Sequence, residues 1–216
     1  MDEETKQGGY ISQAWLVILL ALLYGGALAG VQTTLGPIIE ENKRAETYDV
    51  IPKLVEGADK EMVVEVEVVG TDGKPTRVYR ANTTDGRHVG WVFPGTGLGF
   101  ADRIDLLVGL DPEITTITGI YVLDQKETPG LGNYITEEEF RSQFVGKRSD
   151  RKINVVKGDP TEPDQIRSLT GATISSVSVA EIVNGTIDKL REAALAAPII
   201  EPKAAVTESR SGGTQP

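Results

Sequence analysis

The chain has 216 residues, with 32 Asp and Glu against 22 Lys and Arg and a formal net charge of −10. That length allows one ordinary domain with appendages rather than two large domains, and the acidic balance argues against a nucleic-acid binder, which needs a basic face to neutralise phosphates. There is no cysteine and one histidine, His88. Disulfides, thiolate nucleophiles, cysteine-ligated clusters and multi-histidine metal sites are therefore excluded, and redox chemistry here requires an organic cofactor.

In chain order, residues 1–9 are a short polar segment. No residue between Lys6 and Glu40 is charged, and the dense stretch AWLVILLALLYGGALAG (14–30) is followed by Val31. Residues 10–31 thus reach the roughly 20 residues needed to cross a bilayer once as a helix, with Tyr10 and Trp15 placed for an aromatic belt. A cleaved signal peptide fits less well: Ala27-Leu28-Ala29 resembles a cleavage site, but the leading MDEETKQ is acidic and the apolar run is too long. Lys43 and Arg44 after the span outnumber Lys6 before it, so the charge count alone favours an outside N-terminus. Residues 32–55 read as a connecting helix and linker. Pro37 suits its first turn, Ile38, Ile39, Ala45 and Tyr48 form an apolar stripe, and Pro52 closes it.

Residues 56–197 read as an α+β domain of mixed sheet and helix. EMVVEVEVVGTDGKPTRVYRA is a hairpin: Val64, Val66 and Val68 alternate with Glu65 and Glu67, and Asp72-Gly73 supplies the turn. Further strands are expected at His88–Phe93, Phe100–Val108, Ile117–Leu123 and Ile153–Val156. A helix over ITEEEFRSQFVG is expected to start with Thr136 and Glu139 as a capping box and to align Phe140 with Phe144. The last helix places Val179, Ile182, Val183, Ile187, Leu190 and Ala194 at helical spacing, with Ser178 and Glu181 as a second capping box. Residues 198–216, rich in Pro, Gly and Ser without periodicity, read as a disordered tail.

Three short motifs invite chemistry. Gly95-Thr-Gly-Leu-Gly99 lacks the spacing of a dinucleotide fingerprint and is followed by strand-like alternation, so it reads as a glycine-rich turn between strands. The ETPGLG stretch, Glu127 to Gly132, puts Pro and two glycines straight after a hydrophobic strand, where the backbone can approach a planar ligand closely. SLTGATISS, Ser168 to Ser176, crowds hydroxyls at the start of a long helix. The free N–H groups and dipole there favour a phosphate, although on spacing alone helix capping accounts for them. His88, a lone histidine, carries no functional weight.

The apolar N-terminal helix, KETPGLG at Lys126–Gly132, the TEEEF helix and TGATISS before the last helix occur together, in that order. In this the chain resembles the FMN-binding family found in ion-pumping oxidoreductases of the Rnf type and in sodium-translocating NADH:quinone oxidoreductases. The resemblance implies an α+β domain on one transmembrane helix, with FMN held covalently by a phosphoester bond to the last threonine of the [ST]GAT motif, here Thr173. It implies a ring site near ETPGLG with Glu127, Thr128 and Leu131, and a cofactor-binding set completed by Gly132, Thr170, Gly171, Ala172 and Ile174. No catalytic or metal residue is implied. One position departs from the family pattern: an acidic residue is usual six places before the modified threonine, and this chain has Arg167.

The function so implied is an electron-relaying subunit of a membrane-bound, ion-translocating oxidoreductase of the Rnf type, not catalytic alone. Its partners would be the other membrane and redox subunits and the bilayer, and not nucleic acid. Its place would be the bacterial cytoplasmic membrane, crossed once, with the domain on the periplasmic side, opposite to the charge count. One alternative is the C subunit of the quinone reductase, disfavoured by the compact length. The other is a membrane-anchored binding module without redox chemistry, in which TGAT is only a helix cap.

Overall fold

The computed structural model describes residues 10–69 and 75–196. The expectations for residues 1–9, for the Asp72-Gly73 turn and for the tail at 198–216 lie outside these residues.

Helix α1 spans Tyr10–Leu54. It is continuous where the sequence predicts a boundary at Gly36-Pro37. A proline inside a helix removes one backbone bond and crowds the carbonyl one turn back, which strains a helix without necessarily ending it. Just before it, Thr33 Oγ1 donates to the carbonyls of Ala29 and Gly30 (2.9 and 3.0 Å) and Thr34 Oγ1 to Gly30 (2.8 Å). At the other end Pro52 lies in the last turn, which closes with Val55 N–H donating to Ile51 O at 2.9 Å.

By its internal contacts the chain divides into two units, residues 1–45 and 46–216. In the first, α1 is long and apolar enough to cross a membrane. Trp15, Leu22, Leu23, Tyr24 and Leu28 are each at least 60 % exposed. Apolar on all sides and not buried among the described residues, this span is suited to hydrocarbon.

The second unit is built on a five-stranded antiparallel meander, β1 (Val64–Val69), β2 (Pro75–Asn82), β3 (His88–Leu98), β4 (Arg103–Leu110) and β5 (Ile117–Asp124), in that spatial order. The predicted hairpin forms with Val66 opposite Val78 and Glu67 opposite Arg77. Strand β3 runs five residues beyond the predicted Phe93, and its Thr96, Gly97 and Leu98 pair with Asp105, Ile104 and Arg103 of β4. Strand β4 starts at Arg103 rather than Phe100, because Gly99 N–H donates to Asp102 O at 2.7 Å and closes a turn there.

Both faces of the sheet are covered. On one, Val50, Ile51 and Leu54 from the end of α1 pack with Tyr79, Ala81, Val92 and Leu107. The other packs Trp91, Phe93, Leu106 and Val108 against helix α3 (Thr173–Ala196) through Val179, Ile182, Val183, Ile187 and Leu190. This is the apolar stripe that the 3.6-residue period marks in the sequence. Phe140 and Phe144 join the same core with ring centroids 5.7 Å apart, as their spacing predicts.

The helix around them is shorter than predicted. Single turns of 3-10 helix at Gly132–Thr136 and Ser142–Phe144 flank a four-residue α2 (Glu138–Arg141). Its capping box does not form: Glu137 occupies the cap position without a side-chain bond, and Thr136 Oγ1 donates instead to Asn133 O at 2.9 Å. Likewise α3 starts five residues before the predicted cap, which leaves Ser178 buried inside the helix. Strand β6 (Asn154–Val156) lies where the sequence predicts a strand. Its short parallel partner β7 (Gln165–Arg167) has no such signal, because three residues carry too little alternation to be read.

Candidate functional site

The two motifs singled out in the sequence meet at the N-terminus of α3. Leu169 and Ala172 close a tight turn (Ala172 N–H to Leu169 O, 3.1 Å) with Gly171 at φ +79°, a left-handed conformation that favours glycine. A Cβ on Gly171 would lie 2.9 Å from Leu131 Cδ2, so the ETPGLG loop rests directly on the TGAT turn. In that loop Gly130 is also left-handed, at φ +76°. Leu131 and Ile174 remain 44 % and 57 % exposed, and Thr128 and Thr170 are exposed while Gly132 and Ala172 are buried.

Burial sorts the three hydroxyls from Thr173 to Ser176, while those of Ser168 and Thr170 stay accessible. Ser176 Oγ donates to Ala172 O (3.0 Å) and accepts from Leu169 N–H (3.0 Å), closing the turn on the helix. Ser175 Oγ donates to Glu127 Oε2 at 2.5 Å. Both serines are at most 2 % exposed. Thr173, the first residue of α3, is half-buried, and among the described residues nothing hydrogen-bonds its hydroxyl. Beside it, the amides of the first helical turn have no intrahelical partner, the arrangement that favours an anion.

Glu127 is not open to a ligand. It is 4 % exposed, and its second oxygen, Oε1, accepts from Ala101 N–H of the β3–β4 turn at 3.1 Å. Through Glu127 that turn joins the site, flanked by Leu98 and Phe100 at 80 % and 62 % exposure. The sequence gives no local sign of this, since 26 residues separate Ala101 from Glu127 and 48 separate Glu127 from Ser175. One residue beyond ETPGLG, Asn133 Oδ1 is buried with no partner among the described residues. Arg167, the position that departs from the family pattern, ends β7 with its guanidinium 3.4 Å from both Glu139 and Asp159.

GTGLG is partly strand. A Cβ on Gly95 or Gly97 would approach Thr186 Oγ1 and Ile182 Cγ1 to within about 2.5 Å, so these glycines let α3 lie close on β3. Between α3 and the same strands runs a groove of about 470 Å³, floored by Val78, Phe93, Ile182 and Leu190 with Glu181 and Lys189 at its edge.

Comparison with known proteins defines first the class. Residues 99–188 match the FMN-binding domain, a stretch that holds the β3–β4 turn, ETPGLG and TGAT. Over the longer chain, 172 residues are 33 % identical to the G subunit of the ion-translocating oxidoreductase complex of Methanosarcina acetivorans, covering 79 % of this chain and 84 % of that one. The G subunit of the proton-translocating ferredoxin:NAD(+) oxidoreductase complex of Clostridium ljungdahlii is 28 % identical over 88 % of this chain and 96 % of its own. A crystal structure of Shewanella oneidensis NqrC superposes with a TM-score of 0.50 at 22 % identity, over 61 % of this chain and 66 % of that one, a likeness of fold. The chain belongs to the family of G subunits of the ion-translocating oxidoreductase complexes.

Proposed function

We propose that the chain relays electrons within a membrane-bound oxidoreductase of the Rnf type through FMN joined by a phosphoester bond to Thr173. The observation that carries this reading is the Thr173 hydroxyl. Of the three hydroxyls from Thr173 to Ser176, it alone is both accessible and unengaged, at the helix end where a phosphate is favoured. The surroundings fit the rest of the group: Gly171 keeps the turn free of a side chain, and Leu131, Ile174, Leu98 and Phe100 offer exposed apolar surface to a planar ring. The bound group would supply reversible electron uptake. The protein's part is to hold it at one edge of the domain, accessible to the redox partners on either side of it in the relay. Coverage of 84 % and 96 % of the two G-subunit relatives favours this complex over the quinone reductase. The domain is assigned to the periplasmic side of the cytoplasmic membrane with α1 as its one anchor, and residues 1–9 to the inside.

A denaturing gel viewed under ultraviolet light should show fluorescence at the protein band. Thr173→Ala should abolish it and leave the fold intact, because the lost hydroxyl makes no hydrogen bond. Mass spectrometry of the tryptic peptide Ser168–Lys189 locates the group. An FMN residue on Thr170 or on any serine overturns the assignment, and a wild-type band without fluorescence favours the plain helix cap.

A further inference from the structure

We propose that Glu127 is a positioning residue of this site, not a cofactor contact: its carboxylate ties three separate segments together and so shapes the bed for a flavin at Thr173. The proposal rests on the Thr173 reading. The segments are the 127–132 loop, the β3–β4 turn through Ala101 N–H, and the first turn of α3 through Ser175 Oγ. A buried carboxylate is costly unless hydrogen bonds replace its water, and here both oxygens are engaged. Ser175 Oγ donates to one oxygen of the carboxylate and Ala101 N–H to the other. The adjacent cation does not neutralise it, since Lys126 Nζ lies 3.1 Å from Asp102 Oδ2.

The surrounding residues are shaped to this one group. A Cβ on Gly132 would stand 2.8 Å from Glu127 Oε2 and 2.7 Å from Ser175 Oγ, and one on Gly99 would collide with Oε1. Neither glycine has a positive φ, so crowding and not backbone conformation accounts for the missing side chain: at Gly132 by Glu127 and Ser175, and at Gly99 by the carboxylate together with Asp102 O and Ile104 Cδ1, each 2.8 Å away. A group that served stability alone would do as well as an apolar side chain of similar volume. What an apolar side chain cannot supply is the direction of two bonds, one to each neighbouring segment. Those bonds hold Leu131 against Gly171 and hold the Leu98–Phe100 turn beside them.

Glu127→Ala, Ser175→Ala and Glu127→Gln, made in the full chain, separate the possibilities. Glutamine can still accept from Ala101 N–H and can donate to Ser175 Oγ, so it should restore what alanine removes. The induced visible circular dichroism of the flavin, which requires a fixed asymmetric surrounding, should fall by at least about half in Glu127→Ala and Ser175→Ala and return in Glu127→Gln. Exchange of the Ala101 amide should speed up about tenfold in Glu127→Ala, the scale of one lost hydrogen bond, and stay near wild type in Glu127→Gln. A folded Glu127→Ala with wild-type dichroism and exchange overturns the proposal, as does a glutamine variant as defective as alanine. If Glu127→Ala does not fold, the dichroism of Ser175→Ala, which loses one hydroxyl, decides in the same way. If wild type carries no flavin, the Thr173 reading fails, and the Ala101 exchange rates still decide the tie.

Discussion

Thr173, Ser175 and Ser176 stand within four residues, yet their hydroxyls meet different partners, one of them far away in the sequence. Ser176 closes a turn, Ser175 satisfies a carboxylate 48 residues away, and Thr173 is left over. His88 shows the same dependence on surroundings. Its Nδ1 lies 3.2 Å from Ala81 O, its ring meets Trp91 edge-on at 4.8 Å, and Nε2 is buried without a partner among the described residues. Burial, the largest cause, holds its pKa below the ordinary 6.5. The unfolded chain then binds the proton more readily than the folded one, so stability is complete above pH 6.5. It declines as pH falls from there toward the folded value, and levels off below it. Thermal melts across this window should show that decline in wild type and a flatter dependence in His88→Gln. An unchanged slope in the variant would show that His88 stays as easily protonated in the folded protein as in the unfolded chain.

Helix α3 is the element that organises the site, and glycines on β3 let it do so. Gly97 faces Ile182 where no side chain fits. Gly97→Val should therefore push α3 from the sheet and destabilise the domain by about 1–3 kcal/mol, the usual cost of overpacking. Chemical denaturation measures it, and a loss under about 0.5 kcal/mol would contradict the close packing. The apolar stripe of α3 and the Phe140–Phe144 pair were legible because helical spacing alone aligns them. The capping boxes were not. Thr136 and Ser178 carry the right residue types, but a cap depends on where the helix begins, and both helices begin elsewhere.

At the scale of the whole molecule, α1 carries an apolar span and the domain begins in its last turns. With the domain periplasmic, protease added to intact spheroplasts should digest it while residues 1–9 stay protected. Cleavage of the domain only after lysis would place it inside, as Lys43 and Arg44 favour by the charge rule. The charge rule and the proposed topology oppose each other here, and this digestion decides between them.

Whatever local spacing encodes was settled before any folding. The hydrocarbon-length run, the β1–β2 hairpin, the core stripe of α3 and the order of ETPGLG and TGAT can all be read without knowing what touches what. The continuity of α1 through Pro37, the extension of β3 through Thr96–Leu98 and the pairing of β7 with β6 were decided by the folded chain. So was the meeting of Ala101, Glu127 and Ser175. Ala101, Glu127 and Ser175 lie far apart in sequence, and their meeting depends on the core having brought those segments together, where a buried carboxylate then selects which hydroxyl and which amide it takes.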